Sequence, residues 1–358
     1  ALLIAGAAGL AGISPIQAAY ALNLFLFGMN ITLAGLLVWR LTRSRVWTLV
    51  AAMLTAASPG LLWTHAFVLS EPLFLCILLA FLHVILAYIR GLSRLALLSA
   101  ALLAVLGFWT RYAGAAFYLS GALAILYYSP CRSWRLHLRD LGWFLAVGVP
   151  GALLLVLRNA LTGGTLANRL LLWHPPGMAK WLEGVHHLWG FFMLELPGAW
   201  VFPAAGFALL VVLGGLVIAA GPVLGKARHT FSNRHPLQGA ALAAMQGCAY
   251  LAVVILAMIF FDASTIFEAR ILAPFALCLL LAGLAALSDL QTRLKGRSQV
   301  IPPAATAVFL MLSLMSGANL VRTSRWDGLG FSAAYWRNSA TFQALETLPE
   351  VNIYSTRP

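Results

Sequence analysis

"EPLFLCILLAFLHVILAYIRGLSR", residues 71–94, carries no charged side chain between Glu71 and Arg90. An α-helix rises about 1.5 Å per residue, so an uncharged run of this length reaches across the roughly 30 Å hydrocarbon layer of a bilayer. The stretch therefore reads as a membrane span with a carboxylate at one end and arginines at the other. The rest of the chain repeats that grammar. Over 358 residues it is 62% hydrophobic and 9% charged, with a mean hydropathy of +0.90, where a soluble domain has about 25% charged residues. Composition thus points to an all-α polytopic integral membrane protein.

Runs of adequate apolarity give about ten transmembrane helices, at 17–39, 46–64, 71–89, 95–110, 113–128, 140–157, 201–224, 238–261, 268–288 and 300–319, with residues 1–14 as a partial or interfacial piece. The loops between them alternate in charge. "RLTRSR", "RGLSR", "CRSWRLHLR", "GKARHTFSNRH" and "QTRLKGR" hold 14 of the 23 basic residues and recur at every second loop. The positive-inside rule puts that set in the cytoplasm. Only Asp140 and Asp289 accompany it, so the other eight of the ten acidic residues fall outside. Carboxylates contribute little to topology, so their outward concentration suggests an active extracytoplasmic face.

The formal charge of +13 does not imply a nucleic-acid partner, because the basic residues are scattered through short loops rather than gathered on one soluble face. Cys76, Cys131, Cys248 and Cys278 show no metal-ligand spacing, and neither a disulfide nor a zinc site is expected. The chain starts at Ala1 inside an apolar run and stops at Pro358, which reads as truncation at both ends.

On the outer face, Ser70 is placed to cap the helix that Glu71 and Pro72 open, where the helix dipole favours a carboxylate. The next outward helix end offers "TRYAG", residues 110–114. Arg111 there is a partner for Glu71, either as a tie between two helix ends or with the arginine turned to an anionic headgroup. "LRNALTGGTLANRLLLWHPPG", residues 157–177, leaves its span through Arg158 and Asn159 and reaches Arg169 across Gly163 and Gly164. In 177–196, Met178, Trp181, Leu182, Val185, Leu188, Trp189 and Phe192 recur at helical spacing, the pattern of an interfacial amphipathic helix. His186 and His187 project about 100° apart on such a helix and make poor co-ligands, so no metal is expected. "FDASTIFEARILAP" gathers Asp262, Glu268 and Arg270, with Arg270 about one turn inside its helix. Residues 321–358 read as a polar linker, a short amphipathic helix near 338–348 and a strand-like "VNIYST", the start of a small outer domain.

The order "SEPLF", "TRYAG", "RNALTGGT", "RILAP" resembles membrane glycosyltransferases of the GT-C superfamily, in particular the bacterial group related to protein O-mannosyltransferases and to the RgtA/B/C/D-like transferases. That resemblance implies a transmembrane domain over 1–320 with its large outer loop at 158–200, followed by an extracytoplasmic segment from 321. It implies transfer of a sugar from a polyprenyl-phosphate donor to a glycan, lipid or protein acceptor, on the outer face of the plasma (inner) membrane and without a cofactor. The catalytic acidic residue of the family's first outer loop would precede Ala1. "AGISPIQAAYALNLFLFG", residues 11–28, corresponds to the segment just after that loop. Glu71, Arg111, Tyr112, Arg158, Asn159, Arg169, Asp262, Glu268 and Arg270 are the candidate donor and substrate contacts. Arg270 is the leading candidate for the lipid phosphate.

The rival classes are a polytopic transporter and a non-enzymatic assembly subunit. A transporter predicts charges at helix midpoints and broken spans in two related halves. Asn23, Asn30 and His83 are the notable polar residues within spans, and no internal repeat is evident.

Overall fold

The structure, a computed structural model, describes residues 2–128, 133–163, 172–192, 236–261, 265–328, 334 and 338–340. The helices are α1 (Leu2–Ala11), α2 (Pro15–Thr42), α3 (Arg45–Ala57), α4 (Pro59–Ala66), α5 (Glu71–Gly91), α6 (Arg94–Thr110), α7 (Ala115–Leu123), α8 (Trp134–Gly163), α9 (Met178–Phe192), α10 (Pro236–Phe260), α11 (Ala269–Arg293) and α12 (Ile301–Asp327). No strand occurs among the described residues.

Serine opens several of these helices. Ser14, Ser44, Ser58 and Ser93 accept a hydrogen bond from a backbone N–H in the first turn of α2, α3, α4 and α6. All four hold ψ between 119° and 150°, which swings the hydroxyl over the unpaired N–H groups. Ser70 departs from the sequence expectation. Its ψ is −15°, it makes no cap bond, and its hydroxyl donates instead to Glu71 Oε2 at 3.3 Å.

Among the described residues six helices are long and apolar enough to cross a bilayer, namely α2, α5, α8, α10, α11 and α12, or seven if α3 and α4 form one span broken by 53° at Ser58. The protein is thus a helical multi-pass membrane protein, and the count of ten is not reproduced. The runs at 95–110 and 113–128 are apolar but short. Helix α6 has 17 residues, about 25 Å at 1.5 Å each, because the "TRYAG" turn takes up the chain between the two runs. The run at 201–224 lies outside the described residues, as do Lys226, Arg228 and Arg234 and everything from 341 onward, including the "VNIYST" segment. The polar linker expected after 320 is helix as far as Asp327.

Helices α5 and α11 form the hub, with 67% and 78% of their apolar windows buried, whereas α8 and α12, at 17% each, lie at the periphery. Phe74 and Phe81 of α5 stack on Phe117 of α7 at 5.3 and 5.0 Å between ring centroids. In a bilayer such contacts hold helices through close packing rather than escape from water.

Polar contacts sort the bundle into two ends. Trp47 donates to Gln291 at 2.9 Å, Arg90 to the Arg40 carbonyl at 3.1 Å and Tyr88 to Asp140 at 2.8 Å. These bonds join the described arginine-rich helix ends to one another. Glu71, Arg111 and Asn159 lie at the opposite end of their helices, together with the start of α11.

Candidate functional site

Glu71 opens α5 and is buried, its side chain 5% exposed, and it forms an ion pair with Arg111, whose side chain is 21% exposed. Of the two roles open to Arg111 at the sequence level, the tie to Glu71 is thereby present. No second hydrogen-bond or ion-pair partner of Arg111 occurs among the described residues, so part of its five-donor fork remains for a ligand.

The turn that carries Arg111 is set by close backbone packing. Arg111 N–H bonds the Gly107 carbonyl at 2.9 Å, which ends α6, and Gly114 N–H bonds the Arg111 carbonyl at 2.8 Å. A Cβ on Gly114 would stand 2.3 Å from both the Gly107 carbonyl carbon and the Phe108 nitrogen. Glycine is therefore needed for the turn to lie against α6.

Glu71 is fixed from the other side by two amides of α2. Asn23 donates to the carbonyls of His65 at 3.2 Å and Phe67 at 2.5 Å, closing the end of α4. Asn30 donates to the Pro72 carbonyl at 3.1 Å and lies 3.0 Å from His65 Nε2. His65 Nδ1 faces the Leu61 carbonyl at 2.7 Å. A carbonyl only accepts, so Nδ1 carries the proton and Nε2 is left as the acceptor for Asn30. Asn23 and Asn30 are seven residues apart and share a helix face. Together they staple the chain from His65 to Pro72, and with it the position of Glu71.

Behind the ion pair, the fully buried Tyr250 of α10 packs on Phe74 at 5.8 Å and lies within electrostatic range of both Glu71 and Arg111. Its hydroxyl donates to the Ile271 carbonyl at 2.9 Å, next to Arg270. Arg270 Nε donates to Glu268 Oε2 at 2.6 Å, with the two side chains 34% and 41% exposed. Arg270 is the second residue of α11 and not a full turn inside it, which corrects the sequence reading. The helix head is nevertheless recessed. Gly247 packs against Cys278, and from that crossing α10 runs thirteen residues to Phe260 while α11 has only nine back to Ala269. Four residues of helix correspond to about 6 Å. Arg270 and the nearby Glu71–Arg111 pair thus lie below the tip of α10.

Two segments border that recess. Leu172 and His174 N–H bond the Phe260 and Ile259 carbonyls at 2.9 and 2.7 Å, satisfying groups that a helix end leaves open. Helix α9 follows, packed on α4 and α11, with Lys180 Nζ bonded to the Thr265 carbonyl at 3.1 Å. Its expected apolar stripe is divided, since Met178, Trp181 and Leu182 are exposed whereas Leu188 and Phe192 pack on the core. At its far end the Phe191 carbonyl accepts from Ser58 at 2.6 Å, at the break between α3 and α4.

Tyr112 and Asn159 also meet, the amide donating to the phenol oxygen at 2.6 Å, while Arg158 is exposed one residue before. Arg169 and Asp262 lie outside the described residues. His186 and His187 have ring centroids 5.7 Å apart, and His187 faces Glu183 at 3.8 Å. Among the described residues no three His, Cys, Asp or Glu side chains gather as a metal site.

Sequence reading missed His65, which lies just past a candidate span, and the buried bond from Ser120 to Gln246 between α7 and α10. The signal for both was a hydrogen-bonding side chain in an apolar run. No family model matches the chain, and no curated protein or solved structure matches it.

Proposed function

We propose that the recessed, carboxylate-rich end of the bundle transfers a sugar from a polyprenyl-phosphate donor to an acceptor at the outer face of the membrane. The observation that carries this reading is the partly exposed Arg111, held by a buried Glu71 and still having donors to spare, close to the head of α11 where Arg270 stands. In the reaction the bond from the sugar C1 to the phosphate oxygen breaks and a bond from C1 to the acceptor oxygen forms. The acceptor hydroxyl loses its proton to a base, and the lipid phosphate departs with added negative charge. Two arginines facing a recess at the membrane edge suit that departing group, because each donates parallel hydrogen bonds to phosphate oxygens and stays protonated. Glu71 acts in this scheme by holding Arg111 in place. The resemblance of the four short motifs to GT-C glycosyltransferases supports the same reading.

Transport is the second reading, and the broken span α3–α4 beside buried Asn23, Asn30 and His65 is the observation in its favour. Two-repeat transporters carry such breaks in pairs, and this is the only bent pair among the described residues.

The test uses membranes containing the full-length chain and a panel of labelled polyprenyl-phosphate sugars. Sugar should move to an endogenous acceptor. Arg270→Ala should reduce transfer at least about tenfold at matched protein level, and Arg270→Lys less, because lysine keeps the charge but loses the fork. A fully active alanine variant removes Arg270 from the site. Uptake of a water-soluble substrate with no transfer from any donor favours transport instead.

A further inference from the structure

The arginine-rich end holds one guanidinium in an unexpected position. Arg40 stands in the last turn of α2, yet its side chain turns back along α5 toward the membrane interior. Its Nη1 donates to the carbonyl of His83 and to the ring Nδ1 of His83, both at 3.1 Å. His83 lies seven residues before Arg90, about 10 Å further from the helix end. His83 Nε2 lies 2.9 Å from the Leu33 carbonyl. The carbonyl cannot donate, so the proton resides on Nε2 and Nδ1 offers its lone pair to Arg40. A histidine inside a membrane span thus serves to hold an arginine.

Only part of that arginine is occupied. The Nη1 group is used by His83, while the Nε and Nη2 edge has no partner among the described residues, and the residue is exposed. At this end Asp140 pairs with Arg139 and Asp289 with Arg293, and neither pair involves Arg40. Positive charge gathers around it instead. Arg90 donates to the Arg40 carbonyl at 3.1 Å, and Arg43 and Arg94 are exposed at the neighbouring helix ends. One turn inward on the same face of α2, Leu36 is 47% exposed.

We propose that Arg40 binds the phosphodiester of an anionic phospholipid that carries no ammonium group, on the exposed side of α2 where Arg40 leans on α5. The free Nε and Nη2 edge forms the two-pronged donor that matches two phosphate oxygens. Leu36, exposed one turn inward of Arg40 on α2, gives the acyl chain an apolar contact, a feature that a free phosphate ion does not use. The surrounding arginines disfavour a headgroup with its own cation. The site is at the other end of the bundle from the proposed transfer site, and its test requires no transfer activity.

Native mass spectrometry of the purified full-length chain, with phosphatidylglycerol and phosphatidylcholine of the same acyl chains, reads the preference directly. The wild-type chain should retain phosphatidylglycerol at least about tenfold more strongly, and millimolar inorganic phosphate should not displace it. Arg40→Gln should abolish most of the preference. His83→Leu, which keeps the charge but releases the side chain, should weaken it several-fold, as should Arg40→Lys. Arg322→Gln, near the opposite end, should leave it intact. Equal retention of the two lipids by the wild type overturns the proposal even if the glutamine variant does not fold. So does a folded Arg40→Gln chain that keeps the preference, or displacement by inorganic phosphate, which assigns the site to a free anion.

Discussion

Arg111→Ala should destabilise the full-length chain by about 3 kcal/mol, because it leaves the Glu71 carboxylate buried at the head of α5 without its counter-ion. Glu71→Ala should cost a similar amount, since it strands a guanidinium next to fully buried Tyr250. The double variant should lose less than the sum of the two, with a coupling of about 1–3 kcal/mol, as removing both charges leaves neither unpaired. Glu71→Gln should fall between, because the amide keeps size and hydrogen bonding without charge. Unfolding in detergent titrated with a denaturing surfactant measures all four. Strict additivity in the double variant contradicts the pair.

Gly114→Val should be as damaging by a different route. Gly114 has φ −61°, an ordinary helical value, so the substitution meets no backbone penalty. The obstacle is steric, with the new Cβ 2.3 Å from the backbone of Gly107 and Phe108. Main chain cannot step aside as a side-chain tip can, so the turn from Tyr112 to Gly114 must lift from α6 and carry Arg111 with it. A loss of about 3 kcal/mol is expected, at the upper end for overpacking. Gly114→Ala should already show most of it, since the clash is with the first side-chain atom. A Gly114→Ala chain with unchanged stability contradicts the close approach.

These two positions illustrate what was legible in sequence. Glu71 and Arg111 could be paired because Glu71 opens one apolar run and Arg111 closes the next, so both fall on the same side of a membrane. Gly114 could not be interpreted, because its role depends on how closely the turn lies on Gly107 and Phe108 of α6, seven and six residues behind it. The Ser70 cap failed for a long-range reason. A cap needs an extended ψ, and the chain from Phe67 to Pro72 is instead tied by Asn23 and Asn30, contacts more than forty residues away in sequence. Span number is harder to read than membrane character, because apolar composition marks a helix as membrane-embedded without fixing its length, as the 17 residues of α6 show. The depth of Arg270 depends on the packing of Gly247 against Cys278, a register that no periodicity in either helix encodes.

The proposed transfer requires the end carrying Glu71, Arg111 and Arg270 to face outward and the arginine-rich end to face the cytoplasm. Single cysteines at Ala179, on α9, and at Ser133 and Ser298, beside the arginine-rich helix ends, test it most directly in intact cells expressing the full-length chain with its own cysteines replaced. An impermeant thiol reagent added outside should label the cysteine at 179 and spare those at 133 and 298 until the membrane is opened. Labelling at 133 and 298 in intact cells, with 179 protected, contradicts it.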